Sequence, residues 1–170
     1  MTRQSGDLAQ MIRTCLILAI SAFGLAGCDG SAPQGAAENA SRLLSAAVKG
    51  DRVAFEAEID RAAVRDDVRR QVAVVAKAKT LDVEGGPSEF ALDRMIGPNA
   101  LRLVQAGTGE ALTAAPTLAQ VTGLMHGLGN KRACLRDAAA NCLLTFAKGR
   151  GGWRLVGMQA TDLKIEVGGD

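Results

Sequence analysis

Apolar residues recur at helical spacing through the first half of the chain. Ala40, Leu43, Leu44, Ala47 and Val48 follow the i, i+3, i+4, i+7, i+8 template of an amphipathic helix. Gly50 stands where a helix C-cap belongs, and Asp51 is placed to cap the next turn. Val53, Phe55 and Ile59 mark a short segment, with Asp60 as the following N-cap. Val64, Val68, Val72 and Val75 then predict a long helix over 61–79, with Arg65, Asp66, Arg69 and Arg70 on its other face. Gly85-Gly86-Pro87 breaks it. Ser88 caps a new helix expected to bury Phe90, Met95 and Ile96; Gly97-Pro98 interrupts that run, and Leu101 and Val104 continue it to Gly107. Leu118, Val121 and Met125 make one more short helix after Pro116.

The last third changes period. Cys142, Leu144 and Phe146 alternate with Leu143, Thr145 and Ala147, and Trp153, Leu155 and Gly157 alternate with Arg154, Val156 and Met158. Gly149-Arg150-Gly151-Gly152 is the hairpin turn between them, and Leu163, Ile165 and Val167 form a third strand. Helices followed by strands predict an α+β fold, with N-terminal helices packed on a small C-terminal antiparallel sheet of about three strands.

Residues 1–27 read as a leader rather than a folded element. Arg3 and Arg13 precede Cys15–Gly27, which is uncharged. That stretch makes about 20 Å of helix, short of the ~30 Å hydrocarbon core of a bilayer and suited to a secretory signal. It ends in Leu25-Ala26-Gly27-Cys28, which resembles the lipobox of bacterial lipoproteins. The resemblance implies that 1–27 is a signal peptide and that Cys28 carries lipid. Two or three acyl chains there would anchor the chain stably. The expected location is the bacterial cell envelope, facing the periplasm, and Asp29 favours the inner membrane by resemblance to lipoprotein sorting in enteric-type bacteria. Residues 28–37, rich in Gly, Ser, Pro and Ala, read as a flexible tether. Residues 38–170 then form a single α+β domain.

Composition narrows the function classes. Of the 170 residues, 20 are basic and 18 acidic, so there is no polyanion-attracting field and no expectation of a nucleic-acid partner. Ala supplies 30 residues and aromatics only 3% of the chain, which predicts a core of small and aliphatic side chains. With one His and no Tyr, the usual catalytic groups are scarce. The chain lacks G-x-S-x-G, H-E-x-x-H and a G-K-[ST] phosphate loop, and Gly123, Gly127 and Gly129 read as a flexible loop.

Cys134 and Cys142 are the most informative pair outside the leader. Their spacing fits neither a C-x-x-C redox motif nor a zinc ribbon, and an oxidising compartment favours a disulfide between them. Metal binding by these cysteines with His126 is the alternative; it lacks a fourth ligand, so no metal or other cofactor is expected. His126 itself reads as a residue near a helix end, favoured there by the macrodipole.

The run from Ala46 to Gln71, AAVKGDRVAFEAEIDRAAVRDDVRRQ, is similar to the uncharacterised bacterial domain of unknown function 2939. Its pattern of a Gly-Asp or His-Asp step, a following Leu or Phe, and then h-D-x-x-x-h-R-x-x-h corresponds here to Gly50-Asp51, Phe55, Ile59-Asp60, Val64-Arg65 and Val68. The Gly97-Pro98 region and Trp153-Arg154-Leu155 also fit. The resemblance implies a membrane-anchored or exported protein and brings no catalytic residue. The chain departs from the family at Ser41-Arg42-Leu43-Leu44, where an aromatic-rich helix is common. Read physically, Asp60 is an N-cap and Arg65 pairs with Asp51 or Asp60; the alternative makes Asp60 and Arg65 a ligand-binding pair.

These readings lead to a lipid-anchored envelope protein with a non-catalytic binding domain. Its partners are the membrane, through the anchor, and an envelope protein or a small apolar ligand. Val72, Phe90, Phe146 and Trp153 are the candidate pocket. Two alternatives stand beside it. One is a small-ligand enzyme with a cone-shaped sheet cavity, for which Asp162 and Glu166 are the candidate carboxylates. The other is a purely structural envelope component.

Overall fold

The computed structural model describes residues 33–79, 86–160 and 163–168. The leader, Cys28, Asp29 and Asp162 lie outside the described residues.

Helix α1 spans Gln34–Lys49 and ends on Gly50, whose φ of 65° is the left-handed conformation that favours glycine. It begins earlier than the sequence suggests. Ala36 and Ala37, read as tether, are fully buried, so the folded part includes residues that the sequence assigns to the tether. Their lack of bulk made them look like linker. The same property lets the helix approach the sheet closely.

Asp51 caps helix α2 (Arg52–Ala57), its carboxylate accepting the Ala54 N–H at 3.0 Å, and Phe55 is buried beneath. Asp60 caps α3 (Arg61–Ala78) through the Ala63 N–H at 3.1 Å. Such caps contribute about 1 kcal/mol each. Val64 and Val68 are buried and Val72 is half-buried, while Val75 faces solvent. Glu58, between α2 and α3, takes Asn39 and Arg42 of α1 as partners, with Arg42 Nε at 2.9 Å. This contact with Glu58 is the main reason that the Arg42 pKa is raised.

Helix α4 (Glu89–Met95) is capped by Ser88 as expected, but it buries Leu92 and leaves Phe90 72% exposed. Residues two apart point to nearly opposite sides of a helix, so the two cannot both face the core. Ionic contacts bind α4 to α3. Arg65 Nε meets Asp93 at 2.9 Å, Arg61 reaches Asp93 at 3.1 Å as well as Glu56, and Arg69 pairs with Glu89. The Arg65 contact, supported by Arg61, holds the Asp93 carboxyl below its ordinary range. Arg65 therefore pairs with Asp93, not with Asp51 or Asp60, while Asp60 is occupied as a cap.

After a single turn at Pro98–Ala100, residues Arg102–Gln105 form strand β1 rather than more helix. Pro98 lacks the N–H a continuing helix needs, and the strand finds a partner far along the chain. Helix α5 (Leu118–Leu124) opens with a capping box of Thr117 and Gln120. It gives way to β2 (Met125–Gly129), β3 (Arg132–Arg136), β4 (Cys142–Gly149) and β5 (Gly152–Met158), a four-stranded antiparallel meander in chain order. The last strand, β6 (Lys164–Val167), leaves the meander and pairs with β1 in parallel, Leu103 opposite Ile165. The fold is α+β, with two strands more in the main sheet than its two legible ones and with the expected third strand in a separate small sheet.

Phe146 is the centre of the core. It is fully buried, with Ala133 and Leu155 as its strand neighbours. Helix α1 packs on β4 and β5, and α3 packs on β5. The chain between α2 and α3 bonds to the outer edge of β5, Asp60 N–H to Leu155 O at 2.8 Å and Leu155 N–H to Glu58 O at 3.0 Å. That short pairing covers an edge that would otherwise present free main-chain groups.

Candidate functional site

Register fixes which ends of the strands lie together. Met125 pairs with Leu135, Arg136 with Cys142, and Leu144 with Met158. One end of the meander therefore holds the start of β2 and β4 and the finish of β3 and β5. The β3–β4 loop lies at this end, with Cys134 and Cys142 at disulfide distance, their Cα atoms 5.7 Å apart. Within the loop, Asp137 accepts the Asn141 backbone N–H at 2.7 Å and its side-chain amide at 2.9 Å. The side-chain bond first, and the backbone bonds after it, hold the Asp137 pKa below its ordinary value.

Strand β6 runs across this same end. Between β6 and the loop lies an open cleft of about 700 Å³, lined by Arg102, Asp137, Leu143, Gln159, Lys164 and Glu166 among others. A second cleft of about 430 Å³ shares Asp137, Ala138 and Glu166 with the first and extends to Arg136, Met125 and His126. Together they form a groove with β6 as one wall and the disulfide-closed loop as the other.

The alternation of the small sheet gives that wall its character. Leu103, Ile165 and Val167 are buried, while Arg102, Lys164 and Glu166 border the groove. Lys164 and Glu166 form an ion pair at 2.8 Å. The main chain alternates too. Arg102 N–H donates to Leu163 O at 3.1 Å and Ala106 N–H to Val167 O at 2.8 Å, so the odd-numbered residues of β6 bond to β1. The N–H and C=O groups of Lys164 and Glu166 point the other way, and among the described residues no strand pairs with that edge.

The candidate pocket of Val72, Phe90, Phe146 and Trp153 does not form. Phe146 is core, Trp153 and Val72 are half-buried against that core, and Phe90 is exposed beneath the Arg94 guanidinium, 5.9 Å from its ring centre. None of the four lines the groove. His126 directly follows Met125, the C-cap of α5, so it lies near a helix end as expected, and it is also part of β2, opposite Cys134. Glu166, weighed as a cavity carboxylate, is a groove residue paired to Lys164. Among the described residues no hydrogen bond or ion pair joins His126 to Asp137 or Glu166, no group of three or more His, Cys, Asp or Glu is placed to hold a metal, and no helix is long and apolar enough to cross a membrane. Arg102, Asp137 and Lys164 were not singled out by sequence, since a groove made from three distant segments leaves no local period. No family model, curated protein or solved structure matches the chain.

Proposed function

We propose that this is a lipid-anchored protein of the bacterial envelope whose α+β domain is a non-catalytic binding module, and that the groove beside β6 receives an extended segment of a partner protein by strand addition. One observation carries the binding reading. An unpaired strand edge, with the main-chain groups of Lys164 and Glu166 directed outward, forms a wall of the groove, whose main cleft is about 700 Å³. Strand addition draws its affinity from such main-chain bonds. The charged lining suits a ligand rich in peptide groups better than the small apolar ligand expected from sequence. Anchoring is supported by the lipobox-like Leu25-Ala26-Gly27-Cys28.

The test uses the geometry of β6. Proline at 166 removes an N–H directed at the groove and none used by β1, a position where an edge strand tolerates it. A photo-crosslinking residue at Ala138, on the opposite wall, should give a discrete protein adduct in cells, and Glu166→Pro should abolish it. An adduct unaffected by Glu166→Pro overturns strand addition. Anchoring is tested separately by labelling with a palmitate analogue, which Cys28→Ser should eliminate; label retained by that variant refutes it.

A further inference from the structure

At the other end of the meander two hairpin turns lie side by side, joined by the Lys148 N–H donating to Lys131 O at 2.9 Å. The first turn, between β2 and β3, carries Lys131 and Arg132; the second, between β4 and β5, carries Lys148 and Arg150. All four are exposed. Among the described residues none of them forms an ion pair. Residues 126–134 and 146–155 contain no Asp or Glu. The nearby acids are Glu38 on α1 and Glu58 between α2 and α3, and they are taken by Gln34 and Arg42. A chain with almost balanced charge thus concentrates unpaired cations at one pole.

The first described residues lie at this pole as well. A Cβ on Gly35 would stand 2.7 Å from the Trp153 ring, and Trp153 is the strand partner of Lys148. Gln34 lies six positions after Cys28, a reach of about 20 Å at full extension. A lipid on Cys28 therefore holds the basic pole close to the bilayer surface. Lys131 adds a local observation. It has a φ of 58°, in the turn position that glycine occupies with least strain, so a cation stands here against backbone preference.

We infer that the paired hairpin turns form a membrane-facing surface, in which Lys131, Arg132, Lys148 and Arg150 bind the headgroups of anionic phospholipids. The orientation rests on the lipid anchoring proposed above. The surface supplies a second attachment beside the acyl chains and directs the β6 groove away from the bilayer. Each basic residue at an anionic surface favours the bound state by roughly fivefold at moderate salt.

Trp153, the single tryptophan of the chain, is a native reporter at this pole. The full chain is purified from membranes and reconstituted in vesicles of phosphatidylcholine, with or without phosphatidylglycerol, containing a dansyl-headgroup lipid. Energy transfer from Trp153 to dansyl should be higher with phosphatidylglycerol. It should fall to the phosphatidylcholine level in high salt and in the Lys131→Gln, Arg132→Gln, Lys148→Gln, Arg150→Gln variant, while the chain stays on the vesicles. Equal transfer in variant and wild type, or no response to phosphatidylglycerol, overturns the inference. If the quadruple variant melts early, Lys148→Gln with Arg150→Gln serves in its place, under the same criterion.

Failure of the anchoring reading has its own signature: no lipid mass on the chain and release from both vesicle types in high salt. Cosedimentation then decides the surface. Wild type should bind phosphatidylglycerol vesicles at least about tenfold better than the variant, and equal binding overturns the inference. Binding of a single-stranded RNA oligonucleotide through the same four residues, without a response to phosphatidylglycerol, also overturns it and assigns the pole to nucleic acid.

Discussion

The two ends of the meander are built from the same strands and differ in almost every other respect. At one end the strands return through short turns rich in glycine, and the charges there are basic and unpaired. At the other a longer loop is closed by Cys134 and Cys142, β6 crosses the strand ends, and acids and bases alternate along a groove. The difference shows how a small sheet acquires two kinds of surface. Tight turns leave side chains projecting outward as a charge patch. A crossing strand leaves main-chain groups and a concavity. The core between them, centred on Phe146, must hold the poles at a fixed distance if one is to meet lipid while the other stays open.

The largest expected effect tests that shared core. Phe146→Ala removes a fully buried ring between Ala133 and Leu155 and should destabilise the domain by about 3–5 kcal/mol, near the whole margin of a small domain. Urea unfolding should show a large fall in midpoint; a loss under about 1 kcal/mol would mean that the poles do not share one core. Trp153→Ala, by contrast, should cost less, because that ring is only half-buried.

Next in size is the closure of the groove wall. Cys134 and Cys142 are separated by 8 positions, and closing a loop of that length contributes roughly 2–3 kcal/mol in the chain-entropy description. The double replacement Cys134→Ala, Cys142→Ala should lower stability by that amount, and hydrogen exchange should quicken in residues 137–141 while the hairpin turns keep their wild-type rates. Equal loss of protection at both poles would show that the bridge acts on the whole domain instead.

Two glycines offer a closer comparison. At the basic pole, Gly35 faces the rigid Trp153 ring at 2.7 Å; toward the groove pole, Gly157 faces the Asp67 carboxylate at 2.8 Å. A ring wedged against a helix cannot turn aside, whereas a carboxylate is the end of a rotatable side chain. Gly35→Ala should therefore cost about 1–3 kcal/mol, the range for overpacking. Gly157→Ala should cost less, limited by the Gln71 bond that holds Asp67 at 2.8 Å. Thermal melts of the two variants rank them; the reverse order would show that the Asp67–Gln71 contact is the stiffer of the two.

How much of this was legible in the sequence depends on where each signal lies. Helices α1 to α4 announce themselves because their information is local: an apolar stripe, and caps at Asp51, Asp60 and Ser88. The β4–β5 hairpin does too, through alternation around a Gly-rich turn. Strand β2, Met-His-Gly-Leu-Gly, carries no alternation and takes its form from pairing with β3. Strand β1 is four residues long and exists through β6, which lies about sixty residues further on. The groove is the least legible part, since Arg102, Asp137 and Lys164 meet only after both sheets are in place. The pocket expected at Phe90 fails for a local reason: Leu92 and Ile96 already supply the buried stripe of that segment.

The smallest expected effect separates the poles by pH. At the groove pole Asp137 is held below its ordinary pKa, first by the Asn141 side-chain amide and then by backbone N–H groups. A lowered folded pKa means that this carboxylate contributes stability above its unfolded value, near the ordinary 3.8, and that the contribution is lost as pH falls through the lower folded value. The basic turns contain no Asp or Glu, so nothing within them titrates in that window. In an NMR titration from neutral to acid pH, the Asn141 backbone amide and side-chain amide signals should shift with a midpoint below the ordinary carboxylate range. The amides of Lys131 and Arg150 should stay flat until the domain as a whole responds. A midpoint for Asn141 at or above the ordinary value would show that the loop bonds do not favour the carboxylate. A simultaneous shift at Lys131 would show that the poles are coupled through the sheet rather than chemically separate.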